Sequence, residues 1–192
     1  MTDPLSKLFG NASRVKLLRL FLFNPKVYFT VSNLGLRTRV GEGEIKQEMA
    51  SVYGAGVVKR SRNARGIRYM LNDEFPYLEP LKSLLLNAPA RGEEIYSLVK
   101  NTGTIKLIVL AGFFVGEWDA PIDLLIVGDR LKERRLKEKI RMLEAEIGRE
   151  VRFADFSTQD FFYRLNVSDR LLRDIFDYPH KVVLDKLDIG LK

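Results

Sequence analysis

Cysteine is absent from this 192-residue chain, which excludes a disulfide framework, a thiolate metal site and a cysteine nucleophile. Histidine occurs once, as His180 after Tyr178-Pro179, so no His/Cys cluster with metal-ligand spacing exists and His180 reads as structural. No apolar run reaches the roughly 18 residues that a membrane-spanning helix needs. The opening Met1-Thr2-Asp3-Pro4 lacks a basic segment followed by an apolar one, so no secretory signal is expected and the reading is cytoplasmic. No internal repeat is visible.

What is present is a globular composition, with 46% hydrophobic and 30% charged residues. The length suits one large domain or two small ones, because domains cluster near about 100–150 residues. Charge separates the halves. Residues 1–90 hold 14 Lys/Arg against 7 Asp/Glu, whereas residues 91–192 hold 18 of each. The whole excess of +7 therefore lies in the first half, which points to two units and to a polyanionic partner for the first. A basic surface that only maintains solubility is the plainer alternative.

Ser13 is expected to cap a first helix carrying Val15, Leu17, Leu18, Leu20, Phe21 and Leu22, stopped by Asn24-Pro25. Tyr28–Val31 reads as a short strand or extended entry, and Thr30 or Ser32 can cap a short helix through Leu36. A third helix spans Gly43 to Tyr53, with Ile45, Met49 and Val52 at i, i+4 and i+7. Two strands follow, Val57–Ser61 and Ile67–Leu71, with a turn around Asn63–Gly66. A helix near Tyr77–Leu86 leads to a linker at Asn87–Gly92.

Helix, short helix, helix and hairpin in that order make the pattern of a winged helix-turn-helix. The hairpin carries Lys59, Arg60, Arg62, Arg65 and Arg68 with no acidic residue between them. Guanidinium groups suit phosphate because their planar fork donates two parallel hydrogen bonds. Charge that merely protects an edge hairpin is the alternative. In the third helix the outward face is expected to hold Gly43, Glu44, Gln47, Ala50 and Ser51, flanked by Lys46 and Glu48. Gln47 can pair with adenine, and Ser51 can reach a base or a phosphate. This face is poor in cations: either the wing dominates DNA binding, or the domain has moved toward a protein partner.

The second half alternates strands and helices. Thr104–Leu110 and Ile122–Val127 are apolar runs separated by the Gly-containing stretch Gly112–Pro121. Lys132–Ile147 shows a Leu136, Ile140, Leu143, Ile147 stripe ended by Gly148. Val151–Phe156 is a third strand, Ser157-Thr158-Gln159-Asp160 opens a helix, Ser168-Asp169 starts another, and Lys181–Leu184 is a last strand. Trp118 and the Phe113-Phe114 pair read as packing residues or an interaction patch. Leu165, Leu171, Leu172, Ile175 and Phe176 are either apolar contact surface for dimerisation or simply core.

The segment Leu8-Phe9-Gly10-Asn11-Ala12-Ser13-Arg14-Val15-Lys16-Leu17-Leu18-Arg19-Leu20-Phe21 resembles the opening of winged-helix transcriptional regulators, specifically those fused to a minimal nucleotidyltransferase-like domain. Ile122-Asp123-Leu124-Leu125-Ile126-Val127-Gly128-Asp129 is similar to the metal-binding strand of that superfamily, and Ser157–Phe161 with Leu171–Ile175 to its C-terminal end. Active members use a Gly-Ser turn, two carboxylates at i and i+2 of a strand, and a third on a later strand. Side chains at i and i+2 face the same way and can share a divalent ion. Here Asp123 matches the second carboxylate, Pro121 stands where the first belongs, Gly112-Phe113 replaces the Gly-Ser turn, and Asp155 can stand for the third. The resemblance therefore implies a degenerate metal position at Asp123 and Asp155, with no metal, no catalytic residue and no cofactor.

The expectation is an α+β protein: residues 1–88 a winged helix-turn-helix domain, residues 89–192 a small α/β nucleotidyltransferase-like domain without catalysis. Its expected function is transcriptional regulation as a homodimer on double-stranded DNA through Lys46, Gln47, Ser51, Lys59, Arg60, Arg62, Arg65 and Arg68. The second domain would serve dimerisation or sense a nucleotide or protein effector. The alternatives are a nucleotidyltransferase acting on a metal-bound nucleoside triphosphate and an antitoxin-type partner protein.

Overall fold

Helix α2 (Ala12–Phe23) is apolar around most of its circumference, and the computed structural model, which describes residues 4–64, 66–86 and 92–190, places it at the centre of a core. Val15, Leu17, Leu18, Leu20, Phe21 and Leu22 are all buried. The cap is Asn11 rather than Ser13: its side-chain oxygen accepts the Ser13 N–H at 2.7 Å. Asparagine caps as well as serine does, and it comes two residues earlier. A short α1 (Pro4–Leu8) precedes it.

The stretch after α2 is an extended entry rather than a full strand. Phe29 makes one isolated antiparallel bridge to Tyr69, with hydrogen bonds of 2.8 Å in both directions. Thr30 then caps α3 (Val31–Thr38) at once. Helix α4 (Glu42–Gly54) follows, then the hairpin β1 (Val58–Asn63) and β2 (Gly66–Leu71), paired from Val58↔Leu71 to Asn63↔Gly66, and then α5 (Leu78–Leu86). Phe21 and Phe29 meet edge to face at 5.6 Å inside this core, with Leu34, Ile45, Met49, Val52 and Leu71.

After α6 (Gly92–Val99), four strands form one sheet: β3 (Thr104–Leu110), β4 (Leu124–Asp129), β5 (Phe153–Phe156) and β6 (Lys181–Asp185), in the order β5-β4-β3-β6. Strand β3 is antiparallel to both neighbours, and β4 is parallel to β5. Leu107, Val109, Leu125 and Val127 pack with Phe161 of α8 (Thr158–Asn166) and with Leu172 and Ile175 of α9 (Arg170–Asp177). The alternate residues Ile108, Leu124 and Ile126 are buried on the opposite face, which is why these strands lack polar alternation. Helix α7 (Glu133–Ile147) ends at Gly148 in the left-handed region, φ +86°.

The leucines expected at a dimer surface are mostly core. Leu172 and Ile175 are buried, Leu171 and Phe176 pack against them, and Leu165 alone of the five is exposed. The described residues make a mixed α+β protein with nine α-helices and two sheets. The chain divides into two compact units, Met1–Pro89 with Met142–Arg149, and Ala90–Arg141 with Glu150–Lys192. Of the expected linker, residues 87–91 lie outside the described residues, and Gly92 already begins α6.

Candidate nucleic-acid interface

Ile45, Met49 and Val52 turn α4 toward the core, as their spacing requires, and this fixes where its polar residues go. Glu48 is buried with them. Its carboxylate accepts from Arg14 Nε at 2.7 Å and from Asn11 Nδ2 at 2.9 Å, so it is a tether to α2 and not a flank of an outward face. Glu44 leans the same way, accepting from Asn11 Nδ2 at 3.4 Å. Ser51 is exposed but lines an apolar cavity with Leu18 and Leu81. Gly43, Gln47 and Ala50 remain on the outward face, and Lys46 lies on the flank nearest the hairpin, exposed.

The hairpin divides its cations between two faces because side chains alternate along a strand. Arg60 and Arg62 share a face with Val58, Ile67, Tyr69 and Leu71; Lys59 and Arg68 share the other with Ser61 and Met70. The Arg60 guanidinium lies 5.9 Å from the ring centre of Tyr53 at the end of α4. Arg62 is exposed and lines a groove of about 550 Å³ with Lys46, Glu42, Ile67, and Thr30 and Ser32 at the start of α3.

Lys59 is already occupied. Its ammonium pairs with Asp73 at 2.7 Å and Glu74 at 3.1 Å, and these carboxylates raise its pKa. Arg68 donates from Nε to Ser61 Oγ at 2.9 Å and stacks 3.9 Å over the Tyr28 ring. Arg65 lies outside the described residues. The basic hairpin is therefore not one phosphate-facing stripe. Sequence reasoning missed Arg39, exposed at φ +57° in the turn entering α4; the signal was a second arginine, two residues after Arg37, where α3 ends.

The carboxylate expected at a degenerate metal position has a full set of partners. Asp123 is fully buried. Its Oδ1 accepts from Arg152 Nη2 at 2.8 Å and from the Phe113 N–H at 3.2 Å; its Oδ2 accepts from the Arg152 N–H at 2.9 Å and from Arg152 Nε at 3.0 Å. A carboxylate offers about four lone-pair positions, so none is left for a metal ion. The ion pair raises the pKa of Arg152 in turn. Gly112, at φ +53°, passes so close that a Cβ there would collide with Asp123 Oδ1. A divalent ion would have to displace the guanidinium, and Pro121 supplies no carboxylate to replace it. These residues do not fit a catalytic metal.

Asp155 does not join Asp123. On β5 it stands opposite Ile126, on the face away from Ala154 and Phe156. There, burial and then the Glu133 charge on α7 push its carboxyl up, against a smaller lowering by Lys137. Among the described residues no three His, Cys, Asp or Glu side chains gather as a metal site. Asp129, at the end of β4, is instead held by the Lys106 ammonium at 2.8 Å and the Thr158 N–H at 3.1 Å, which lower its pKa to about 2. His180 packs edge-on to Phe176 at 5.6 Å, its Nδ1 2.9 Å from the Tyr178 carbonyl. Phe113 and Phe114 stack on each other at 4.1 Å, and Trp118 is exposed. Set against protein-family models, curated proteins and solved structures, the chain matches none.

Proposed function

We propose that the chain is a cytoplasmic DNA-binding transcriptional regulator whose first unit, within residues 1–88, is a winged helix-turn-helix. The order α2, Phe29–Tyr69 bridge, α3, α4, β1, β2 supports that reading. The observation that carries it is the groove in which exposed Lys46 of α4 and Arg62 of β1 face the start of α3. Two cations and a helix N-terminus favour a phosphate oxygen there. Glu42 lines the same groove and repels phosphate; its position in the first turn of α4 favours the helix dipole. Lys46, Arg62, Thr30 and Ser32 are the polar residues around it that can meet phosphate, whereas Lys59 is held in its own ion pairs.

Duplex affinity measured against salt tests this. Replacing Lys46 and Arg62 together by Ala is expected to weaken binding to every sequence and to reduce the log–log salt slope by about 1.8, at about 0.9 per lost phosphate contact. Lys59→Ala, as the internal comparison, should leave the slope unchanged. An unchanged slope in the double variant overturns the groove as the phosphate contact.

The second unit is read as a nucleotidyltransferase-like domain within residues 89–192 that carries no transfer chemistry, because Asp123 is committed to Arg152. It would pair two chains through exposed Phe162, Tyr163, Leu165 and Val167 on α8 and its C-cap. Light scattering is expected to give twice the 22.1 kDa chain mass, and a monomer rejects the pairing.

A further inference from the structure

Among the described residues, Arg14 is the one charged side chain in the wall of a mainly apolar cavity of about 390 Å³ in the first unit, where Ser51 and Tyr77 are the other polar ones. That volume falls within the roughly 300–1,000 Å³ typical of small-molecule sites. Leu18 on α2, Val52 on α4, Val57 before β1, and Leu81 and Leu84 on α5 supply apolar wall, and Ala55 lines it from the end of α4. Tyr77, 69% exposed, stands at its edge.

The guanidinium is only partly used. Arg14 Nε donates to Glu48, and one Nη1 hydrogen goes to the Phe9 carbonyl at 3.2 Å. Arginine carries five N–H donors, so three are left over. With Nε on Glu48, the Nη1/Nη2 edge is the side of Arg14 left to grip a second carboxylate with two parallel bonds. Glu48 is held separately by Asn11, so a second carboxylate can engage Arg14 without stripping Glu48 of every partner.

We propose that this cavity binds an apolar monocarboxylic acid, a medium-chain or aromatic acid whose tail fills the apolar volume and whose carboxylate meets Arg14. Apolar burial supplies affinity, and the single guanidinium supplies orientation and preference for an acid over its neutral analogue. The proposal goes beyond DNA binding and does not require it.

The test uses the full chain without DNA, by isothermal titration with decanoate and with decanol below micelle-forming concentrations. Decanoate is expected to saturate one site per chain with micromolar affinity. Decanol, with the same tail and no charge, is expected to bind about tenfold more weakly, the scale of one charge-assisted hydrogen-bond pair. Arg14→Met should abolish the preference for the acid. Ala55→Phe, at an exposed wall position, should weaken both ligands by about tenfold, the scale of blocked apolar burial. Because Arg14→Met also removes a partner of Glu48, the decanoate-to-decanol ratio on the unaltered chain tests the charge independently of folding. Equal affinity for acid and alcohol, binding indifferent to Ala55→Phe, or no saturable binding overturns the proposal. Each of these outcomes leaves the salt-slope result, and so the DNA reading, standing.

Discussion

Residues 1–90 carry all of the net positive charge, and residues 91–192 are neutral, yet the contrast that matters is what each region does with its cations. In the second, Arg152 locks Asp123 across 29 residues of chain, Lys106 holds Asp129, and Arg164 holds Asp169. Carboxylates there serve as internal ties between sheet, turns and helix starts. In the first, Glu48 ties Arg14, and Asp73 and Glu74 tie Lys59, but exposed Lys46, Arg62 and Arg39 still face solvent. Net charge counts residues; binding depends on the cations that folding has not already neutralised. Lys59 and Arg62 are three positions apart on the same strand and fall on opposite sides of that distinction.

The sharpest way to break the comparison is to remove an internal tie. Asp123 is fully buried and Arg152 is its cationic partner among the described residues, so Arg152→Ala leaves a carboxylate in the core with no countercharge and only two backbone N–H donors. Urea unfolding is expected to show a loss of about 3–5 kcal/mol. Arg152→Lys should recover only part of it, since an ammonium cannot reproduce the two-pronged contact. A loss as small as that of an exposed pair, below about 1 kcal/mol, would place the Asp123–Arg152 tie among ordinary surface pairs.

A smaller effect comes from Asp129, and it has a pH signature. Its folded pKa, about 2, lies below the ordinary aspartate value of 3.8. A depressed carboxyl pKa adds stability that is complete above the unfolded pKa and fades as pH falls toward the folded one. Asp129→Asn should therefore lower the melting temperature at neutral pH, and the gap to the unaltered chain should narrow between pH 4 and pH 2. A gap constant across that interval would show that the Lys106 and Thr158 contacts do not depend on the charge of Asp129. The partial exposure of this pair keeps the effect below that of Arg152→Ala.

Local pattern made much of the architecture legible. The apolar run Thr104–Leu110 is β3 to the residue, and the Leu136–Ile147 stripe is α7. Ser157 caps α8 and Asp169 caps α9 through side-chain bonds to the following N–H groups. Helices α1 and α6 were missed. At five and eight residues they are too short to develop a helical stripe, and Gly92 looked like part of a linker.

The candidate site was legible in its residue types and not in their partners. Lys59, Arg60, Arg62 and Arg68 do lie on a hairpin, but strand alternation divides them, and the acceptors of Lys59 come from the loop after β2. The sequence pairs Asp123 with the position two residues before it, Pro121. The fold pairs it with Arg152, because the parallel partner β5 brings residue 152 beside the start of β4. Ser51 and Glu48 likewise follow the helical turn toward α2, a neighbour that no local window around α4 contains.

The assignment of Met142–Arg149 to the first compact unit has a consequence for how the molecule is made. Translation proceeds from the N-terminus, and a domain closes only when its last contributing segment has emerged. The ribosome would deliver residues 1–89 early, but the first unit would wait for residue 149 before its contacts were complete, with half of the second unit's chain already released. The two units are thus interleaved in time although each is compact in space. A nascent chain paused before α7 would expose the surface that this segment covers, which gives the 52 intervening residues, 90–141, a direct influence on when the first unit matures.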